Sequence, residues 1–170
     1  MKHTVWIVDD DQSIRWVMKK TLERKSLLVN SFGDAEELLS ELNKSTPDAI
    51  ITDIRMPGMD GLELLKKIHS SNPGVPIIVT TAHSDLDSAI SAYQCGAFEY
   101  LPKPFNLDDL IAVTLRAISF MKDQKKVLTS KKMVPIDKNE IMLPDVIGLL
   151  TRERLTGEPP PTSAKALVDL

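Results

Sequence analysis

Apolar residues come in short blocks along most of this chain, and the blocks alternate between two periods. Thr4-Val5-Trp6-Ile7-Val8 is a continuous, largely β-branched run that stops at three aspartates, which predicts a strand buried on both faces. Ile14, Val17, Met18 and Leu22 then recur at helical spacing among Arg15, Lys19 and Lys20, with Ser13 as the expected cap. Leu27-Leu28-Val29 predicts a second strand. Asp34 should cap a helix carrying Leu38, Leu39 and Leu42, which Pro47 ends, and Ala49 to Thr52 predicts the third strand. Leu62, Leu64, Leu65 and Ile68 mark a helix closed by Asn72-Pro73-Gly74, and Val75 to Thr80 predicts a fourth strand. Ser84 and Asp87 give a capping pattern for a helix over Asp85 to Gln94, with Gly96 just beyond. Its apolar residues are only Leu86, Ala89, Ile90, Ala92 and Tyr93, so this helix should be weakly anchored. Phe98 to Leu101 predicts a fifth strand, and Asn106 opens a last helix. One stripe of that helix is Leu107, Ile111, Leu115 and Ile118, and a second row is Leu110, Val113 and Ala117. An apolar arc this wide should meet the core on one side and a partner on the other, which makes a homodimer through the last helix an expectation.

Strand and helix thus alternate with connections too short for antiparallel neighbours. That pattern demands an α/β fold, a doubly wound five-stranded parallel sheet with right-handed crossovers and helices on both faces. Every strand of such a sheet points its carboxyl end to one edge. Asp9, Asp10, Asp53, Thr81 and Lys103, far apart along the chain, should meet there.

Composition adds limits. The formal charge of -3 combines 13 basic and 18 acidic side chains in residues 1–124 with 8 and 6 in residues 125–170. An acidic folded part argues against direct nucleic-acid binding. Cys95 is the only cysteine, so no intrachain disulfide or thiol metal cluster can form, and a buried structural role is expected. With no membrane-length apolar run and no signal-peptide pattern, a cytoplasmic location is expected, with no membrane partner.

Crowded carboxylates repel one another and resist ionising unless a cation compensates. A donor set of oxygens alone, without His or Cys, suits a hard ion, and a few carboxylates with water suit Mg²⁺ better than Ca²⁺. Lys103, held between Pro102 and Pro104, adds a directed ammonium through a Lys-Pro bond that can be cis, and Thr81 adds a hydroxyl. Phosphoryl transfer to a carboxylate fits these groups, because it needs an in-line nucleophile and charge neutralisation more than a general base. Asp53 would be the nucleophile. Asp9 and Asp10 would hold the metal with Asp53 and the Arg55 backbone carbonyl, Lys103 would pair with a phosphoryl oxygen, and Thr81 would donate to another. Asp11 is left as a charge at the helix N-terminus. His83, a lone loop histidine, is read as solvated rather than catalytic.

The motifs Val-Asp-Asp-Asp-Gln-Ser-Ile-Arg-Trp, Asp-Ile-Arg-Met-Pro-Gly-Met-Asp-Gly, Thr-Ala-His-Ser-Asp-Leu and Gly-Ala-Phe-Glu-Tyr-Leu-Pro-Lys-Pro-Phe resemble, in that order, the receiver domain of two-component response regulators. Within that family they look most similar to the nitrogen regulatory protein C class. The resemblance covers residues 1 to 122. It implies the flavodoxin-like strand order 2-1-3-4-5, phosphorylation of Asp53 by a sensor histidine kinase in a Mg²⁺-dependent relay, control of transcription, and Tyr100 as an aromatic switch residue beside Thr81. Two rivals share parts of the pattern. A haloacid-type phosphatase also uses Asp and Mg²⁺, but it wants a second Asp two residues after the nucleophile, where this chain has Arg55. A flavodoxin-like cofactor binder wants a phosphate loop after the first strand, which is missing.

Residues 123–170 read as linker and tail: Lys125-Lys126 and Lys131-Lys132, a short apolar stretch from Ile141 to Leu155, then Pro159-Pro160-Pro161-Thr162-Ser163. No G-x-x-x-x-G-K-[ST] phosphate loop occurs, so the ATPase and DNA-binding domains usual in the class are not expected here. Three outputs follow: a receiver acting by protein contact, a truncated transcription factor, or a phosphate sink that drains a kinase.

Overall fold

A computed structural model of the chain describes residues 1–82 and 86–132. Five strands, β1 (Thr4–Val8), β2 (Leu28–Phe32), β3 (Ala49–Asp53), β4 (Ile77–Thr81) and β5 (Glu99–Pro102), alternate with five helices. The helices are α1 (Gln12–Glu23), α2 (Ala35–Leu42), α3 (Gly61–Ser71), α4 (Leu86–Gln94) and α5 (Leu107–Lys132). The strands form one parallel sheet in the order β2-β1-β3-β4-β5. This is the expected doubly wound architecture.

The sheet has two buried faces because successive strand residues point to opposite sides. Trp6, Val8, Ile50, Ile77 and Val79 face one layer with Leu38, Leu64, Leu65 and Ile68 of α2 and α3. Val5, Ile7, Ala49, Ile51 and Ile78 face the other layer with Met18, Leu22, Leu110, Val113 and Ala117 of α1 and α5. β3 and β4 are buried at every residue, which is why each opens on an apolar run, Ala49-Ile50-Ile51 and Ile77-Ile78-Val79, before its buried polar end. β2 is an edge strand and carries Asn30 and Ser31. An edge strand tolerates such polar positions, so β2 runs on to Phe32, beyond the expected Leu27 to Val29.

Several local expectations are corrected. Asp11, not Ser13, caps α1: its side chain accepts from the backbone N–H groups of Ser13 and Ile14 at 2.8 and 3.3 Å. Val17 is exposed, and the buried stripe of α1 narrows to Met18, Thr21 and Leu22. Cys95 is only partly buried, packed against the core at the turn after α4. Asp34 and Asp60 cap α2 and α3 through Glu37 N and Glu63 N, at 2.8 Å each. The cap expected from Ser84, and His83 with it, lie outside the described residues.

Helix α4 is weakly anchored, as its sequence implied. Only Ala92 is buried, while Leu86, Ile90 and Tyr93 are 74%, 44% and 49% exposed. Gly96, at φ +96°, takes the left-handed conformation that closes α4, where a Cβ would lie 3.1 Å from His69 Nδ1.

Helix α5 continues past residue 122 as far as Lys132, so Lys125-Lys126 and Lys131-Lys132 are helical rather than linker. No Gly or Pro interrupts it. Met121 is buried, and Lys125 Nζ lies 3.9 Å from Asp48 Oδ1, at the amino-terminal edge of the sheet. The other Asp48 oxygen accepts from Thr4 N at 2.9 Å and meets His3 Nδ1 at 3.2 Å. The core side of α5 is the row Leu110, Val113, Ala117 with Ile118 and Met121, whereas Leu107, Leu115 and Phe120 stay exposed. The stretch from Ile141 to Leu155 and the proline-rich end lie outside the described residues. Among the described residues no helix is long and apolar enough to cross a membrane.

Candidate functional site

Register decides what meets at the carboxyl edge. Val8 pairs with Thr52, Asp53 with Thr80, and Thr81 with Pro102, so Asp9, Asp53, Thr81 and Lys103 emerge side by side. Lys103 N donates to Thr81 O at 2.7 Å, extending the β4–β5 pairing by one residue, and the Lys103-Pro104 peptide is cis. Asp9, Asp10 and Asp53 offer carboxylate oxygens that all lie within 4.8 Å of one another. Asp9 and Asp53 are buried and Asp10 is exposed. The Lys103 ammonium reaches in to Asp9 Oδ2 at 2.7 Å and Asp53 Oδ2 at 3.6 Å. Asp9 Oδ1 accepts from Asp11 N at 2.9 Å.

One atom is left over. Asp53 Oδ1 is buried with no hydrogen-bond partner among the described residues. Burial pushes the Asp53 carboxyl above its ordinary pKa; the Lys103 ammonium pulls it back, Asp9 pushes it up again, and the Ile54 and Arg55 backbone N–H groups lower it. A buried carboxylate oxygen without a donor, beside two more carboxylates and no sulfur or imidazole ligand, is a fit for a hard divalent cation. Arg55 lies two residues past Asp53 in the loop, with its side chain exposed.

The backbone carrying Asp53 is clamped. Thr52 Oγ1 donates to Asp53 O at 3.0 Å, and Thr80 Oγ1 donates to Thr52 O at 3.3 Å, both hydroxyls fully buried. Gly61 N donates to Ile54 O at 2.7 Å. A Cβ on Gly61 would collide with the Asp53 carbonyl oxygen and come 2.8 Å from its carbon, so only glycine fits. Thr52, Thr80 and Arg15, whose Nη1 donates to Asp9 O at 2.6 Å, do not stand out in the sequence, where Gly61 reads only as one of the residues that force the loop after Asp53. The one signal was spacing: Gly61 follows Asp60 at a helix start, and Arg15 stands one helical turn beyond Asp11.

Thr81 is buried, and Tyr100 is partly buried against the core layer shared by α2, α3 and α4. Tyr100 pairs with Val79, two residues before Thr81, so both side chains belong to the same sheet face. Beside Lys103 an apolar groove of about 640 Å³ runs between α1 and the loop after β5, lined by Ile14, Val17, Met18, Pro104 and Phe105.

The response regulator receiver domain family matches residues 5–115. This chain belongs to that family. The receiver is 53% identical over 122 residues to the DNA-binding transcriptional regulator NtrC of Salmonella typhimurium, a match spanning 72% of this chain and 26% of that protein. It is 42% identical over 114 residues to the C4-dicarboxylate transport transcriptional regulatory protein DctD of Rhizobium meliloti, covering 67% of this chain and 25% of that one. The solution structure of the apo receiver domain of nitrogen regulatory protein C superposes with a TM-score of 0.64 at 55% identity, covering 69% of this chain and 94% of that one. The receiver thus spans about a quarter of the curated relatives it matches.

Proposed function

We propose that this receiver accepts a phosphoryl group on Asp53 from a sensor histidine kinase, in a Mg²⁺-dependent relay that controls transcription of the nitrogen-regulator type. The observation that carries the reading is Asp53 itself, with one buried oxygen lacking a partner, two carboxylates beside it and Lys103 at 3.6 Å. Asp9, Asp10 and Asp53, with the Arg55 carbonyl, would hold the ion. Bound there, Mg²⁺ supplies positive charge against the phosphoryl oxygens.

The Asp53 carboxylate attacks the phosphorus of a phosphohistidine or a small acyl phosphate. A new O–P bond forms as the old N–P or O–P bond breaks, and the leaving group takes that electron pair. Lys103 releases its hold on the carboxylates toward a phosphoryl oxygen, and the Thr81 hydroxyl donates to another. With Thr81 drawn toward the new dianion, Tyr100 on the same sheet face turns inward and α4 shifts, which passes the signal on. The apolar groove beside Lys103 offers an incoming donor protein a dry footing next to the acceptor. In this mechanism the chain is a phosphoacceptor that catalyses only its own phosphorylation and dephosphorylation.

Acetyl phosphate with Mg²⁺ should add one phosphoryl group, read by intact mass, and Asp53→Asn should abolish the addition. Undiminished labelling of Asp53→Asn, or labelling in excess chelator, defeats the reading.

A further inference from the structure

The run Val8-Asp9-Asp10-Asp11-Gln12-Ser13-Ile14-Arg15 supplies the acidic pair and the α1 cap, and leaves one cation unaccounted for. Arg15 points back along its helix. Its Nη1 donates to the Asp9 carbonyl oxygen at 2.6 Å in a partly buried contact. Its guanidinium lies over Gly33, where a Cβ would stand 3.8 Å from Nη1 and 3.9 Å from Nη2, so it spans the loops that follow β1 and β2.

The identity of the acceptor gives this contact a role. The Asp9 carbonyl belongs to the peptide joining Asp9 to Asp10, two of the three carboxylates that converge within 4.8 Å. A peptide unit is planar, so fixing its oxygen fixes the direction in which the Asp10 N–Cα bond leaves it. Asp9 has other restraints, from Lys103 on one carboxylate oxygen and Asp11 N on the other. Asp10 is exposed, and its aim depends on the backbone that carries it.

We infer that Arg15 is a positioning residue for the metal-binding pair, clamping the Asp9–Asp10 peptide so that the Asp10 carboxylate converges on a divalent cation with Asp9 and Asp53. The inference rests on the Mg²⁺-dependent phosphoacceptor reading above. It differs from a simple offset of negative charge, which a lysine would supply equally well. A planar guanidinium holds a carbonyl in a fixed geometry, whereas an ammonium is a mobile point charge.

The test is calorimetric titration of Mg²⁺ into the full 170-residue chain, its Arg15→Met variant and its Arg15→Lys variant, each checked by thermal melt. Amide ¹H–¹⁵N spectra are recorded without metal. Both variants are expected to bind Mg²⁺ about 10-fold or more weakly, the range in which partners of metal ligands act. The Asp10 and Asp11 amide signals should move while those of α3 stay put. Saturating Mg²⁺ should restore the acetyl phosphate labelling rate, separating ion capture from the transfer step. Wild-type affinity in Arg15→Met overturns the inference. So does a loss in Arg15→Met with full affinity in Arg15→Lys, because charge alone then suffices. If the wild-type chain itself takes up no Mg²⁺, the metal reading falls with it, and the wild-type titration reports that separately.

Discussion

Around Asp53 the backbone is held by Gly61, Thr52 and Thr80, and α1, α2 and α3 each begin on an aspartate whose side chain accepts backbone N–H groups. On the other side of the same sheet edge, α4 buries only Ala92 and turns Leu86, Ile90 and Tyr93 outward, and β5 has a single buried residue, Leu101. The two regions share a sheet but differ in how much apolar surface holds them, and local stability follows that surface. A phosphoacceptor needs both. Capture requires carboxylates fixed before the donor arrives, whereas a response requires an element whose two positions differ by little free energy.

The largest expected effect compares matched truncations. Leu64→Ala, on the fully buried side of α3, should cost about 3 kcal/mol in urea unfolding, within the range for core leucines. Ile90→Ala on α4 should cost about 0.5 kcal/mol, as an exposed substitution does. Equal losses would remove the contrast between the two regions.

A second measurement separates them in time. Relaxation-dispersion NMR on the unphosphorylated receiver should find microsecond-to-millisecond exchange in residues 86–101, with a minor state of roughly one to ten per cent, and none in α3. Beryllofluoride with Mg²⁺ should suppress it. If that mimic binds and the segment's chemical shifts stay unchanged, the coupling through Thr81 and Tyr100 is wrong, although Asp53 could still be the acceptor.

The smallest effect is electrostatic. Burial raises the pKa of Asp53, so the folded state favours its protonated form. That contribution to stability is fully present below the unfolded pKa of about 4 and is lost as pH rises through the raised folded value. In metal-free buffer at pH 7, Asp53→Asn should therefore melt at a higher temperature than wild type, and the difference should shrink as pH falls through the raised folded value and vanish by about 4, the unfolded pKa. Added Mg²⁺ should raise the wild-type melting temperature and leave Asp53→Asn nearly unmoved.

Most of the fold was legible because its strands announce themselves. β1, β3 and β4 are apolar runs that stop at Asp, Thr or a proline-glycine loop, and those stops are where the chemistry lies. β2 was misjudged because an edge strand tolerates Asn30 and Ser31, which read as the end of the run. The C-terminal part of α5 was misjudged because lysine pairs resemble a linker when nothing shows what they pack near. Met121 and the Lys125–Asp48 approach are tertiary facts. The convergence of Asp9, Asp53, Thr81 and Lys103 follows from topology, so it could be foreseen. The clamp by Thr52, Thr80 and Gly61 could not, since it depends on hydroxyl directions and on a helix start pressed against a strand end.

Helix α5 begins four residues after Lys103 and runs without a break for 26 residues. At about 1.5 Å per residue it is a rod roughly 39 Å long, with one end beside the acceptor edge and the other beyond the opposite edge of the sheet. A rod magnifies angles. A tilt of about 10° at its Leu107 end would carry Lys132 sideways by about 7 Å, more than one helical turn of rise. A tilt too small to alter a side-chain contact near Lys103 would thereby displace the far end of the helix by the size of a side chain.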